Sequence, residues 1–298
     1  MKLYEYSAAA TPTIPPIGYA VLPPMCSTTS ERVLWNLQDA LQTDYPATTP
    51  ALAAYHLNLL PGDHLQTADV ATSTLVRFQV GGGLLQIEPI GNEAGIPPRD
   101  YRYEQGDVLV IPGLSRIHWR AKSPTRGFIV TDEPLLQYLG VAPVRQTIET
   151  IKYTQAQIAQ AIEDFRSQPG AAARNRCGVI FGQSATSATM TVSRTLWSLF
   201  NILPANVVQK PHRHQSIAVD VAVEGRPGVY TLMSSKITPD GELVDPIRAD
   251  WVTGAAFVTP PGWWHSHHNE TDQDAMVFPV QDAGLHTYLR SLDIQFVR

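Results

Sequence analysis

The chain has 298 residues, 44% hydrophobic and 16% charged, with a formal net charge of -5; that supports one large core or two smaller ones and argues against long disordered or coiled-coil stretches. No Lys/Arg-rich block accompanies the acidic balance, so neither nucleic acid nor an anionic membrane is an expected partner. No apolar run reaches the ~18 residues of a membrane span, and 24 prolines with 20 glycines call for the many turns of an all-β fold.

In chain order, residues 1–27 are rich in Pro and Ala and predict an extended arm, with no apolar core of a signal peptide behind Lys2. Cys26 and Cys177 form no disulfide framework and read as reduced thiols of a cytoplasmic protein. The stripe Val33, Leu37, Leu41 predicts a helix over 30–41, closing an N-terminal region of 1–45. Short strands between turns then fill 46–140. A second helix is predicted over 154–165, with Thr154 and Gln157 as a capping box, Ile158, Ile162 and Phe165 on one face, and Pro169 and Gly170 beyond its end. It lies in a connection over 141–190, and a second β-rich unit follows over 191–298.

The two units repeat one another. NLLP at 58–61 matches NILP at 201–204, an offset of 143; GDVLVIP at 106–112 matches GAAFVTP at 254–260, an offset of 148; LLQYL at 135–139 matches LHTYL at 285–289, an offset of 150. Three matches in one order, with offsets that drift by only a few residues, indicate a duplicated domain.

The second unit carries the chemistry. His212 and His214 stand at i and i+2, so on an extended segment both imidazoles face one side. Gly254-x5-Pro260-x-Gly262-x2-His265-x3-Asn269 follows. That spacing resembles the second motif of the cupin superfamily at every position. The resemblance implies jelly-roll β-barrels, here two, with a divalent metal inside the second. The first cupin motif is met less fully: Asn206 occupies its Gly slot, Ala218 its Glu-ligand slot, and Gly225 is in register. The implied ligand set is His212, His214 and His265 without a carboxylate, which leaves the ion its charge and open positions. The alternative is that these are ordinary surface or core histidines. His268 is expected to point the other way. In the first unit Asp69 and Ala71 fall at the matching offset for His212 and His214, and His118 lies one residue out of register with His265. That predicts a structural barrel without metal, unless His64 and His118 form a weak site.

TLWSLFNILP at 195–204, PHRH at 211–214 and TPPGWWHSHHNE at 259–270 resemble a narrower group, gentisate dioxygenase and its relatives that cleave salicylate and hydroxynaphthoate. That resemblance spans about residues 195–275 and implies one Fe(II) per chain, O2 as co-substrate and opening of an aromatic ring. In those enzymes the iron usually sits in the first cupin; here it would sit in the second. Carried over residue by residue, Trp197 keeps the Trp before HxH and His267 keeps a His two after the third ligand, an acid/base or hydrogen-bonding group. Asn201 replaces a family Gln. Asp220 replaces an Arg that holds the substrate carboxylate. By strand parity Asp220 shares the interior face with Ala218 and Ala222, whose small side chains leave room for a ligand, and Trp263 shares the face of His265. The expected site is therefore His267, Asp220 and Asn201 as catalytic groups, with Trp197, Trp263, Ala218 and Ala222 against the substrate. A carboxylate at 220 would repel an anion in low dielectric, so the expected substrate is not gentisate or salicylate in the family's binding mode. Alternatively Asp220 makes a structural ion pair and Trp263 fills the barrel mouth. Arg77 stands 143 residues before Asp220 and could be a relic of the family Arg. Two other functions stay open: a cupin metalloenzyme acting on a non-aromatic small molecule, and a non-catalytic ligand-binding bicupin. A homo-oligomer is expected.

Overall fold

The computed structural model describes residues 1–298 except 11–13, 25–26, 172–173, 175 and 298, so Cys26 lies outside the described residues. After a single helical turn, α1 (Tyr6–Ala9), come β1 (Val21–Leu22), β2 (Glu31–Leu34) and a second turn, α2 (Gln38–Leu41). The first unit continues as β3 (Ala53–Leu59), β4 (His64–Thr67), β5 (Ser73–Val80), β6 (Gly83–Pro89), β7 (Arg99–Tyr103), β8 (Val108–Pro112), β9 (Ser115–Ala121), β10 (Thr125–Thr131) and α3 (Glu133–Leu139). β11 (Ile151–Tyr153) and α4 (Gln155–Arg166) lead into the second unit, which begins with β12 (Cys177–Ile180) and β13 (Trp197–Leu203). It goes on through β14 (Val207–Val208), β15 (His212–Arg213), β16 (Ala218–Glu224), β17 (Val229–Ser234), β18 (Ile247–Asp250), β19 (Ala256–Thr259), β20 (Trp264–Asn269) and β21 (Ala275–Gln281), and ends in α5 (Ala283–Leu289) and β22 (Gln295–Phe296).

The duplication is complete in the strand order. One sheet runs β11-β8-β5-β10-β3-β2 and its counterpart β1-β19-β16-β21-β13-β12, all antiparallel. Each unit closes with a second sheet, β4-β9-β6-β7 in the first and β18-β17-β20-β15-β22 in the second. These are two cupin barrels. The edge strand that β11 supplies to the first barrel from the connection is supplied to the second by β1, so the arm crosses to the far barrel and pairs with β19. No helix among the described residues is long and apolar enough to cross a membrane.

The two six-stranded sheets pack against each other, which explains why their central strands are buried on both faces. Odd-numbered residues of β5 and β16, such as Leu75, Val219 and Val221, join Phe128, Phe200 and Phe278 in a core shared by the barrels. Even-numbered residues turn into the barrels, Val76 and Phe78 into the first and Ala222 into the second. Buried Asp132 ties the units together by accepting hydrogen bonds from Thr72 of the first and Thr195 of the second.

Three expectations need correction. The helix over 30–41 is only its last turn: residues 31–34 form a strand, because the free edge of β3 pairs with them from Glu31↔Asn58 to Leu34↔Tyr55. Tertiary pairing here overrides a helical stripe. The helix over 154–165 does form, with Thr154 accepting from the Gln157 N–H and Gln157 reaching back to the Thr154 N–H. The second correction concerns Arg77. Leu109 pairs with Val76 as its repeat partner Phe257 pairs with Asp220. The counterpart of Asp220 is therefore Val76, and Arg77 corresponds to Val221 on the inter-barrel face. The third concerns Asp69 and Ala71. Thr67 pairs with Ile117 on adjacent strands of the first barrel as His212 pairs with His265 on adjacent strands of the second, whereas Asp69 forms a two-pronged ion pair with Arg32 at 2.6 and 2.8 Å.

Candidate metal centre

Glycines with left-handed backbone shape the loops around the histidines. Gly254 and Gly262 have φ of 84° and 75°, conformations that cost a side-chain-bearing residue energy. Asn206, in the Gly slot of the first motif, has φ 55°, and Asn is among the few other residues that tolerate it. At Gly225 a Cβ would stand 2.3 Å from the Trp251 carbonyl. Asn269, the last residue of the second motif, is a structural clasp: its amide N–H groups donate to the carbonyls of Leu203, Pro204 and Gln273, and its oxygen accepts from Thr271.

His212, His214 and His265 bring one ring nitrogen each within 4.8 Å of one another. Among the described residues no other three His, Cys, Asp or Glu side chains gather in this way. His214 and His265 are buried. Burial keeps all three neutral, with His214 pushed down to about 4 and the other two well below the usual range. Outer contacts orient two of the rings. His214 Nδ1–H donates to the Ser216 carbonyl at 2.8 Å, and His265 Nδ1–H to the Trp263 carbonyl at 3.1 Å. Each Nε2 lone pair is then free for a cation, and such carbonyl partners are the usual means of fixing a metal-ligating tautomer. His212 differs. Arg176 donates from Nη2 to its Nδ1 at 2.6 Å and also to the Lys210 carbonyl, and Phe296 of β22 stacks on its ring at 5.7 Å. A ligand at His212 Nε2 requires Nδ1 to carry the proton, so metal loading has to displace the Arg176 bond. With that adjustment, three neutral imidazoles fit a divalent transition metal.

His267 stands beside the cluster, its ring 5.8 Å from His265 and 6.3 Å from His212. Trp251 Nε1–H donates to Thr231 Oγ1 at 2.8 Å, and Thr231 lies 2.7 Å from His267 Nδ1. The threonine accepts from the indole and shares a hydrogen bond with the imidazole, which fixes the His267 ring. Burial holds His267 at about 3, so it is neutral. His268 turns away, stacked on Tyr230 at 4.8 Å.

The remaining site residues fall as follows. Asp220 is fully buried, with Ala218 and Ala222 equally buried on the same strand face. It accepts a hydrogen bond from Thr259 at 2.5 Å, and no ion pair with it is found among the described residues. Burial pushes it up to about 7. With a pKa near neutrality it exchanges its proton close to pH 7 rather than carrying a fixed negative charge. Asn201 is buried and gives its amide to Gln209 at 3.3 Å; the Gln209 backbone N–H in turn donates to the His267 carbonyl. Asn201 thus reaches the histidines through Gln209. Trp197 is half-buried at the start of β13, on the parity of Asn201, and Trp263 packs on the interior cluster of the second barrel. Arg176 and Phe296 were not foreseen, because they approach from opposite ends of the unit and no spacing rule links them to HxH.

Among the described residues the first barrel has no such centre. At the offset of the matched GDVLVIP and GAAFVTP segments, Ile117 stands for His265 and Trp119 for His267, both buried. Trp119 Nε1–H donates to Thr67 at 3.0 Å, and Tyr103 and Phe78 stack at 3.8 Å beside it. His118 lies on the outer face, stacked on His64 at 5.5 Å and 3.4 Å from Glu88.

No protein-family model matches this chain, and no curated protein matches it in sequence. Solved structures do match. Salicylate 1,2-dioxygenase from Pseudaminobacter salicylatoxidans superposes with a TM-score of 0.73, covering 99% of this chain and 93% of that one at 15% identity. An adduct of that enzyme with gentisate gives 0.70 over 99% and 90%, also at 15% identity. The coconut allergen cocosin gives 0.57 over 89% and 85% at 13% identity. At such identities the likeness establishes the bicupin fold and leaves activity to be argued from the residues of the site.

Proposed function

We propose that this protein is a metal-dependent dioxygenase that binds one Fe(II) through His212, His214 and His265 and opens the ring of an aromatic substrate other than gentisate. The observation that carries this reading is the gathering of three neutral imidazoles within 4.8 Å, two of them buried, with no carboxylate among them. Such a set leaves a divalent ion its full charge and open positions for two small ligands. Iron bound there supplies the electron transfer between substrate and O2 that side chains cannot provide.

The chain's own residues bind and orient. His267, held by Thr231 and Trp251, offers its Nε2 to a substrate or oxygen atom beside the cluster. Asn201, braced by Gln209, adds an amide. Trp197 and Trp263 form the apolar wall that excludes water, and Ala218 and Ala222 leave space. Asp220 selects the substrate: protonated, it donates a hydrogen bond, and ionised, it disfavours an anionic group.

The test is metal content per chain in protein purified without added metal, with His212→Ala alongside, followed by an O2-uptake screen over hydroxylated and amino-substituted aromatics. About one iron per chain, lost in the variant, with O2 consumed on one of these substrates, is the expected result. Metal retained by His212→Ala sinks the assignment of the ligands. Metal-dependent turnover without O2 uptake would instead favour a cupin enzyme acting on a non-aromatic substrate.

A further inference from the structure

The inter-barrel face buries a guanidinium that forms no ion pair among the described residues. Arg77 is 5% exposed, and its Nε has no hydrogen-bond partner. The carboxylate acting on it is Glu224, which lies beyond ion-pair distance of it and 4.0 Å from Arg226. Phe200 and Phe278 flank Arg77 at 5.5 and 6.0 Å; these ring contacts do not replace hydrogen bonds to its N–H groups. An ionised group withdrawn from water is stable only when it is paired. Burial lowers the Arg77 pKa to about 10, so it stays charged at neutral pH.

Arg77 lines a cleft of about 600 Å³ between the barrels, together with His56, Gln79, Arg126, Gln155 and Glu224. Both copies of the motif glycine, Gly106 and Gly254, also line it. Packing there is close: a Cβ at Gly106 would stand 2.2 Å from Gln155 Oε1. Arg126 is an exposed second cation, and His56 is held neutral by burial. The volume suits a small molecule. The planar fork of an arginine matches two oxygens of a carboxylate or phosphate, and the glutamines can hydrogen-bond the remainder.

We propose that this cleft is a binding site for a small molecule bearing a carboxylate or phosphate, with Arg77 as its buried anchor and Arg126 as its outer cation. The site shares no residue with the histidine cluster, and the proposal stands independently of the dioxygenase reading. Because Arg77 and Arg126 belong to the first barrel and Thr253 and Gly254 to the second, the ligand would sit against both.

The test is titration calorimetry and thermal denaturation of the full chain with succinate and, separately, inorganic phosphate. Saturable binding and a raised melting temperature are expected for at least one of them. Arg77→Met should weaken that binding at least about tenfold, and Arg126→Gln by a smaller factor that shrinks as salt rises. His265→Ala should bind the anion as the wild type does. Without anion, Arg77→Met should melt at the same temperature or higher, since a lone buried charge has gone. Should that variant fail to fold, Arg126→Gln and Gln155→Ala, both at exposed positions, carry the test through loss of affinity. Succinate alone binding marks the ligand as a carboxylate and phosphate alone as a phosphate; either supports the site. No saturable binding of either up to about 10 mM, or equal affinity in the wild type and every cleft variant, overturns it.

Discussion

The two barrels follow one path and fill it in opposite ways. In the first, Ile117 and Trp119 occupy the places of His265 and His267, and Phe78, Tyr103 and Leu85 complete a close-packed apolar interior. In the second, the same places hold imidazoles, Asp220 takes the place of Val76, and the apolar cluster is smaller. Polar side chains turned into a barrel forgo burial that apolar ones would contribute. The chain thus pairs a mostly apolar barrel with one that holds the histidine cluster, joined by a shared apolar face.

This contrast can be broken at several points. The largest effect is expected at His265. His265→Ala should abolish metal retention and reduce turnover to background, read by metal analysis and O2 uptake, while the protein stays folded. Next is Trp119→Ala, which should cost about 3–5 kcal/mol of stability in denaturant unfolding and leave metal per folded chain unchanged. If it instead empties the second barrel of metal, the two interiors are coupled and the division fails.

A pH experiment sharpens the comparison further. The folded pKa of Asp220 is raised to about 7, above its unfolded value. The folded state therefore holds this proton more tightly, and the stability it contributes is full below about pH 4 and lost as pH rises towards 7. The loss is on the order of 4 kcal/mol at most. Asp220→Asn should flatten the stability profile between those limits. An unchanged slope would mean that Asp220 ionises freely and that its protonated form plays no part in substrate choice. The smallest effect belongs to His118, outside the first barrel: His118→Ala should shift stability by no more than about 0.5 kcal/mol and leave metal content untouched. A drop in metal would revive the weak site with His64.

Much of this was legible in the chain. Asn206 and Ala218 could be located as departures from the first cupin motif because neighbouring positions kept their spacing. His118 could be seen to stand one residue out of register, and in a strand that single step moves a side chain to the opposite face. The same arithmetic misplaced Arg77 and Asp69, because an offset of 143 taken from NLLP and NILP was carried across strands where it no longer holds; the pairing of Val76 with Leu109 corrects it. The stripe Val33, Leu37, Leu41 was a real helical pattern, yet the open edge of β3 drew residues 31–34 into a strand.

The sequence by itself determined the all-β duplication, the capped helix at α4 and the spacing that sets three histidines on one interior face, because each depends on local periodicity, turn chemistry or short-range repetition. Only the tertiary structure decided which distant groups meet: Arg176 and Phe296 on His212, Trp251 and Thr231 behind His267, Thr259 on Asp220, and Phe200 and Phe278 beside Arg77 between the barrels. Those contacts join residues far apart in the chain, and they follow from sheet register and barrel packing, which a one-dimensional spacing does not encode.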